Sequence, residues 1–246
     1  TGQPHYQESF TPMTDGFKYV PFGDLDEIKS NTSDKTVAVM MEPVQGEGGV
    51  NIPYKDYLKD IRAWCDQNGL LLILDEVQTG IGRLGTLWGY ESFDVIPDVI
   101  TLGKGLGGGA PIGAFLARQD VAVLEPGDHG STFGGNALTC AIARNVVRYI
   151  IENNLIDNVQ KMGNLLKSKL EGLKNSNNSI KEIRGMGLLI AVEFESDISS
   201  EIITRSNENG LLLNAVRPNA VRFMPPLTVN KDEIIQAVKR FELSLI

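Results

Sequence analysis

Lys104 stands between an apolar run and a string of glycines, in DVITLGKGLGGGAPIGAF at residues 98–115. A single amine in that setting has three uses: it cradles a phosphate, it is a solvated loop residue, or it is a nucleophile. At the C-terminal end of a buried strand, flanked by small residues, it is expected to lie in a crevice partly shielded from water, at the edge where open parallel sheets bind ligands. Desolvation there favours the neutral amine, the form that attacks a carbonyl carbon. Taken alone, the solvated-loop reading holds. Asp75 changes the balance, because it closes a second apolar run, LLLILDE at residues 70–76, and so stands at the same expected sheet edge. A buried carboxylate needs a cationic partner. An aspartate holding a protonated pyridine nitrogen, with a lysine at the other end of the ring, is the constellation of a pyridoxal phosphate site.

Two rival motifs are weak. Gly103, Gly105 and Gly108 fit G-x-G-x-x-G after a strand, and so do Gly80, Gly82 and Gly85. A dinucleotide fingerprint opens directly into a helix, whereas GAPIGAFLA and TLWGYESF follow these two matches. LLLILDE also resembles the strand whose acidic end holds Mg²⁺ in nucleoside triphosphatases. That reading needs a G-x-x-x-x-G-K-[ST] loop, which the sequence does not contain.

Composition narrows the field further. The chain has 246 residues, 42% of them hydrophobic and 22% charged, enough for one large domain or two small ones. A net charge of −8 argues against nucleic acid or an anionic membrane as partner and favours small metabolites. No apolar run approaches the roughly 18 residues of a membrane span, and no signal peptide opens the chain. Cys65 and Cys140 lie far apart with no metal-ligand spacing, as expected of free thiols in a reducing cytoplasm. His5 and His129 are too few and too distant for a metal site.

The elements that must position Lys104 and Asp75 alternate in type. TVAVMMEP (36–43), LLLILDE (70–76) and DVITLG (98–103) read as buried strands, with IGAFLA (112–117) as a fourth. A helix at about 55–68 carries Tyr57, Leu58, Ile61, Trp64 and Cys65 on one face and stops at Gly69. Strands apolar on both faces predict a mostly parallel sheet covered on both sides. Helical periods follow from Asn136 to about Asn154 and from Leu155 to Leu173, then a polar loop, KNSNNSIKE. RGMGLLIAVEF (184–194) is a glycine turn feeding a strand, 199–209 a helix, LLLNAV and AVRFMPP short strands. The last helix opens on Asn230 with Glu233 in capping-box spacing. This predicts an α/β unit over 1–154 and a smaller α+β unit over 155–246.

Six blocks occur in order: EPVQGEGGV, LDEVQTGIGRLG, GKGLGGGAPIGA, HGSTFGGNAL, RGMGLL and VRFMPPL. Together they resemble the class III aminotransferases, which have the fold type I architecture of pyridoxal phosphate enzymes, and the likeness runs the whole length of the chain. The resemblance implies that 1–154 is the C-terminal part of the large cofactor-binding domain and 155–246 the small C-terminal domain. It implies that Lys104 carries the cofactor as a Schiff base and shuttles the proton. Asp75 would pair with the pyridinium nitrogen, Val77 would pack on the ring, and Gln78 would bond the ring hydroxyl. Ser131 and Thr132 would reach the cofactor phosphate of a neighbouring subunit, implying a homodimer with shared active sites. Arg222 would grip a glutamate carboxylate and Glu47 would pair with Arg222 when the other substrate is bound. The implied reaction moves an amino group from N-acetylornithine to 2-oxoglutarate, with ornithine, 4-aminobutyrate or succinylornithine as alternative donors; a truncated, inactive relative is a further alternative. Read without the resemblance, Val77 is a core valine, Thr132 a helix N-cap, and Arg222 with Glu47 an ordinary ion pair.

The family's members are longer. Their Gly- and Ser-containing phosphate loop, their ring-stacking aromatic and their carboxylate-binding arginine would precede Thr1, so this chain alone is expected to have an incomplete site.

Overall fold

The computed structural model describes residues 1–245; Ile246, the end of the expected second unit, lies outside them. A short helix, α1 (Pro4–Gln7), and α2 (Leu25–Asn31) precede β1 (Ala38–Met41), α3 (Tyr57–Asn68), β2 (Leu71–Asp75), β3 (Val99–Leu102) and β4 (Ala114–Ala117). The rest comprises α4 (Ala137–Glu152), α5 (Leu155–Ser176), β5 (Ile180–Met186), β6 (Leu189–Phe194), α6 (Ser199–Glu208), β7 (Asn214–Arg217), β8 (Ala220–Phe223) and α7 (Lys231–Ser244).

The first sheet has the order β1-β2-β3-β4, the first three strands parallel and β4 antiparallel to β3. α3 buries Tyr57, Leu58, Ile61 and Cys65, and Gly69 ends it in the left-handed conformation at φ 66°. The side chains of β2 alternate: Leu72 and Leu74 are fully buried, whereas Leu71, Ile73 and Asp75 are half-buried. On the Asp75 face the neighbouring strands present Met40 and Phe115, both largely exposed. The expected cover on both faces is therefore present on one. The apolar runs are continuous, yet α3 is the only long helix between these strands, and it serves a single face.

The second sheet, β5-β6-β8-β7, is antiparallel throughout. Its Ile183, Ile190, Val192, Val221 and Phe223 share a buried cluster with Leu166 and Leu170 of α5 and Ile234, Val238 and Phe241 of α7. The opposite face meets the first unit: Leu189 and Ala191 of β6 belong to the first core. The polar stretch before β5 is shorter than expected, because Ile180 is buried and Ile180, Lys181 and Glu182 are already strand. Asn230 caps α7, accepting from Glu233 N at 3.0 Å while Glu233 accepts from Asn230 N at 2.8 Å.

Candidate active site

Two parallel strands end side by side at the site. Asp75, the last residue of β2, stands opposite Thr101 of β3, and Lys104 follows two residues past the end of β3. The expectation of a shared sheet edge is met. The shielding of Lys104 is partial: the residue borders a cavity but is exposed, and its side chain makes no hydrogen bond or ion pair among the described residues. The reason is local. Lys104 opens a 3-10 turn at φ 43°, and Leu106 and Gly107, rather than the amine, are the residues that this turn buries. Asp75 Oδ1 accepts from Val77 N at 2.9 Å. Across the register, Thr101 Oγ1 is buried without a hydrogen-bond partner. Val77 is half-buried and lies against Gly103, where a Cβ would come within 3.4 Å of its Cγ1.

A cavity of about 740 Å³ adjoins Lys104; Val77, Gln78, Arg83, Tyr149, Met224 and Thr228 are among its lining residues. Close to it Glu47, Gln78 and Arg222 form one hydrogen-bonded group. Arg222 Nη1 donates to Glu47 Oε1 at 2.8 Å and to Gln78 Oε1 at 3.0 Å, and Gln78 Nε2 donates to Glu47 Oε1 at 2.8 Å. Arg222 is 6% exposed. Its Nε is buried with no hydrogen-bond partner. Burial works against ionisation of Glu47, but the hydrogen bonds from Arg222 and Gln78 outweigh it and hold the carboxyl below its usual range. Gln78 thus spends its carboxamide on Glu47 and Arg222.

Ser131 and Thr132 are exposed and neither lines the cavity. Ser131 Oγ accepts from Gly134 N at 3.0 Å. Thr132 is not the N-cap of α4; Asn136 is, accepting from Thr139 N at 3.0 Å.

Several residues beside the site were given no part in it by the sequence; Glu76 entered there only as one of the acidic residues that close LLLILDE. Glu76 is 1% exposed, and its two oxygens accept from Gly89 N at 2.6 Å and Tyr90 N at 2.7 Å. Burial raises its pKa to about 7 even though both hydrogen bonds oppose the shift. Both of its oxygens are thus turned toward backbone donors. Glu42, one residue past β1, accepts from Gly46 N at 3.0 Å, and burial raises its pKa, with Asp75 nearby adding to the effect. Its position after an apolar strand matches that of Asp75, so a signal was present. Arg83 ties the two units together: its Nη1 donates to the carbonyls of Leu188 at 3.0 Å and Pro225 at 2.6 Å. Burial lowers its pKa to about 10.

Solved structures share this fold. Ornithine aminotransferase from Toxoplasma gondii superposes with a TM-score of 0.94 at 38% identity, covering 99% of this chain and 59% of its own. That crystal holds pyridoxal phosphate at partial occupancy in its active site. Acetylornithine aminotransferase from Elizabethkingia anophelis gives a TM-score of 0.89 at 36% identity, over 94% of this chain and 63% of that one. The architecture is that of the fold type I transferases: part of a large, mostly parallel domain and an antiparallel second sheet. Within that class, the Aminotransferase class-III family model matches residues 1–245, and the chain belongs to that family. Acetylornithine aminotransferases from Clostridium acetobutylicum and Caldanaerobacter subterraneus are 49% and 47% identical over 247 and 239 aligned residues. The chain spans 64% and 61% of their respective lengths.

Proposed function

We propose that this chain is the part of a pyridoxal phosphate-dependent aminotransferase that carries the reactive lysine, and that the enzyme passes an amino group from N-acetylornithine to 2-oxoglutarate. The observation that carries the reading is the placement of Lys104 and Asp75 at the ends of neighbouring parallel strands. The residues present fit the cofactor: Lys104 is unpaired, Asp75 spends one oxygen on Val77 N, and Thr101 Oγ1 is an orphan beside it. When bound, pyridoxal phosphate supplies an electron sink that stabilises negative charge on the carbon bearing the transferred amine, Cδ of N-acetylornithine or Cα of glutamate. Lys104 would hold it covalently and carry a proton to and from that carbon; Asp75 would keep the ring nitrogen protonated, and Val77 would pack on the ring. Gln78, assigned to the ring hydroxyl by resemblance, would have to share its carboxamide with Glu47 and Arg222.

Arg222 would take the second carboxylate of 2-oxoglutarate or glutamate once Glu47 has turned away from it. Glu47 would occupy Arg222 when the donor, which has one carboxylate, is bound. Ser131 and Thr132, exposed and clear of the cavity, would meet the cofactor phosphate of a second copy, making the enzyme a homodimer with shared sites. The two sheets and their separate cores support a division into domains at 1–154 and 155–246. The names of the relatives support the donor, and a cytoplasmic enzyme is the corresponding setting. Among the described residues no helix is long and apolar enough to cross a membrane.

The test is borohydride reduction of the natively purified holoenzyme followed by fragment mass mapping. A pyridoxyl group on Lys104 is expected, together with ping-pong kinetics and a higher kcat/KM for N-acetylornithine than for ornithine or 4-aminobutyrate. Lys104→Ala abolishes turnover; substantial residual transamination in that variant refutes the assignment.

A further inference from the structure

The loop that carries Glu47 is bound to the second sheet by more than Glu47. It closes on itself, Gln45 N reaching Asn51 O at 3.1 Å and Asn51 N reaching Gln45 O at 3.0 Å. Two further arginines hold its outer carbonyls. Arg184 of β5 donates Nε to Gly49 O at 3.1 Å and Val50 O at 3.2 Å, and Nη2 to Gly49 O at 2.7 Å. Arg217 of β7 donates Nε to Gly48 O at 2.9 Å and Nη2 to Asn51 Oδ1 at 3.0 Å.

The sheet register explains the convergence. Arg184, Ala191 and Arg222 stand abreast on β5, β6 and β8. Arg217 pairs with Ala220, two residues from Arg222 and so on the same face. A β-bulge between Ala215 and Arg217 supplies the extra residue that turns Arg217 to that side. Ala191, fully buried, keeps the face low enough for the loop to lie on it. Gly49 has φ 119°, and a side chain there would run into the Arg217 guanidinium.

We propose that Arg184 and Arg217 are positioning residues for substrate selection: they hold the loop backbone still, so that Glu47 leaves Arg222 by turning its side chain alone. The inference rests on the reading of Arg222 as the receptor of a dicarboxylate substrate. Glu47 competes with that carboxylate for one guanidinium. A clamped backbone keeps Glu47 at high effective concentration over Arg222, so a ligand enters only if its own carboxylate can displace it. Loosening the clamp weakens the competitor and lets dicarboxylates bind more readily.

Arg184 is also tied to Glu182 and Glu193, so the test falls on the exposed Arg217. Binding of glutarate, an unreactive five-carbon dicarboxylate, is titrated calorimetrically into the holoenzyme. Arg217→Ala is expected to lower its Kd about fivefold, as removal of a tethered competitor does. Arg217→Lys keeps the charge but not the two-pronged donor, and is expected to act as Ala does. In a Glu47→Ala background, Arg217→Ala should change nothing. An unchanged Kd in Arg217→Ala, a wild-type Kd in Arg217→Lys, or an equal shift in the Glu47→Ala background overturns the proposal. If glutarate binding by the otherwise unaltered protein is indifferent to Arg222→Ala, the dicarboxylate reading of the site fails, and this inference fails with it.

Discussion

Glu76 gives the sharpest test of the physical argument, because its carboxyl is buried and its ionisation is linked to folding. Burial raises the carboxyl from its ordinary value of 4.5 to about 7 in the folded chain. Between those values the native state keeps a proton that the unfolded state has released, so stability falls as pH rises through this window. From about pH 5 to about pH 8, the difference in bound protons integrates to about 2.5 kcal/mol lost by the wild type. Glu76→Gln cannot ionise. Its amide nitrogen would face one of the two backbone donors, Gly89 N or Tyr90 N, at a cost of about 1–3 kcal/mol that is the same at every pH. The assay is equilibrium urea unfolding of both proteins across that range. The expected result is a stability difference that shifts by about 2.5 kcal/mol in favour of the variant as pH rises. Curves for the two proteins that stay parallel would show that Glu76 is ionised in the native state throughout, with its two hydrogen bonds outweighing burial.

The junction between the units and the last helix offer two further tests. Gly187 sits at φ 54° with the backbone of Arg83, Leu84 and Gly85 where a Cβ would lie; Gly187→Ala is expected to cost about 2 kcal/mol or more and lower Tm by about 4–8 °C. A melting temperature equal to that of the wild type would mean the contact gives way without cost. Asn230→Ala removes the reciprocal cap of α7 and is expected to cost about 1 kcal/mol, a fall of about 2–4 °C in Tm by circular dichroism; no fall would mean that the tertiary contacts of α7 make the cap redundant.

Much of the skeleton was legible in the sequence because it depends on local signals. Gly69 ends α3 and Asn230 opens α7 as their residue types demand, and the apolar runs before Asp75 and Lys104 are β2 and β3. The exposure of Lys104 was not legible, since it follows from a 3-10 turn whose buried residues come after the lysine. The bare face around Met40 and Phe115 was hidden for a related reason: hydrophobic composition does not say whether a covering layer is at hand. In the site, Lys104 and Asp75 could be reasoned from their strands, whereas Glu47 and Arg222 came from resemblance. Arg184 and Arg217 escaped because their bonds to the Glu47 loop go mostly to its backbone carbonyls, which carry no side-chain signature.

The contacts that join the two sheets are extreme in sequence separation: 175 residues for Arg222 with Glu47, 169 for Arg217 with Gly48, and 142 for Arg83 with Pro225. Each closes a loop whose entropy must be met before its bond can form. The cores on either side are built largely from neighbours along the chain, and Leu189 and Ala191 of β6 are where the second sheet joins the first core. Docking of the arginine face of the second sheet on the Glu47 loop is therefore expected among the late steps of folding. A chain with both cores formed but undocked would have native secondary structure and a lysine at its strand end, yet no carboxylate receptor. Binding of a dicarboxylate would report completed folding, and a ligand that favours the docked form would draw that late step toward the native state.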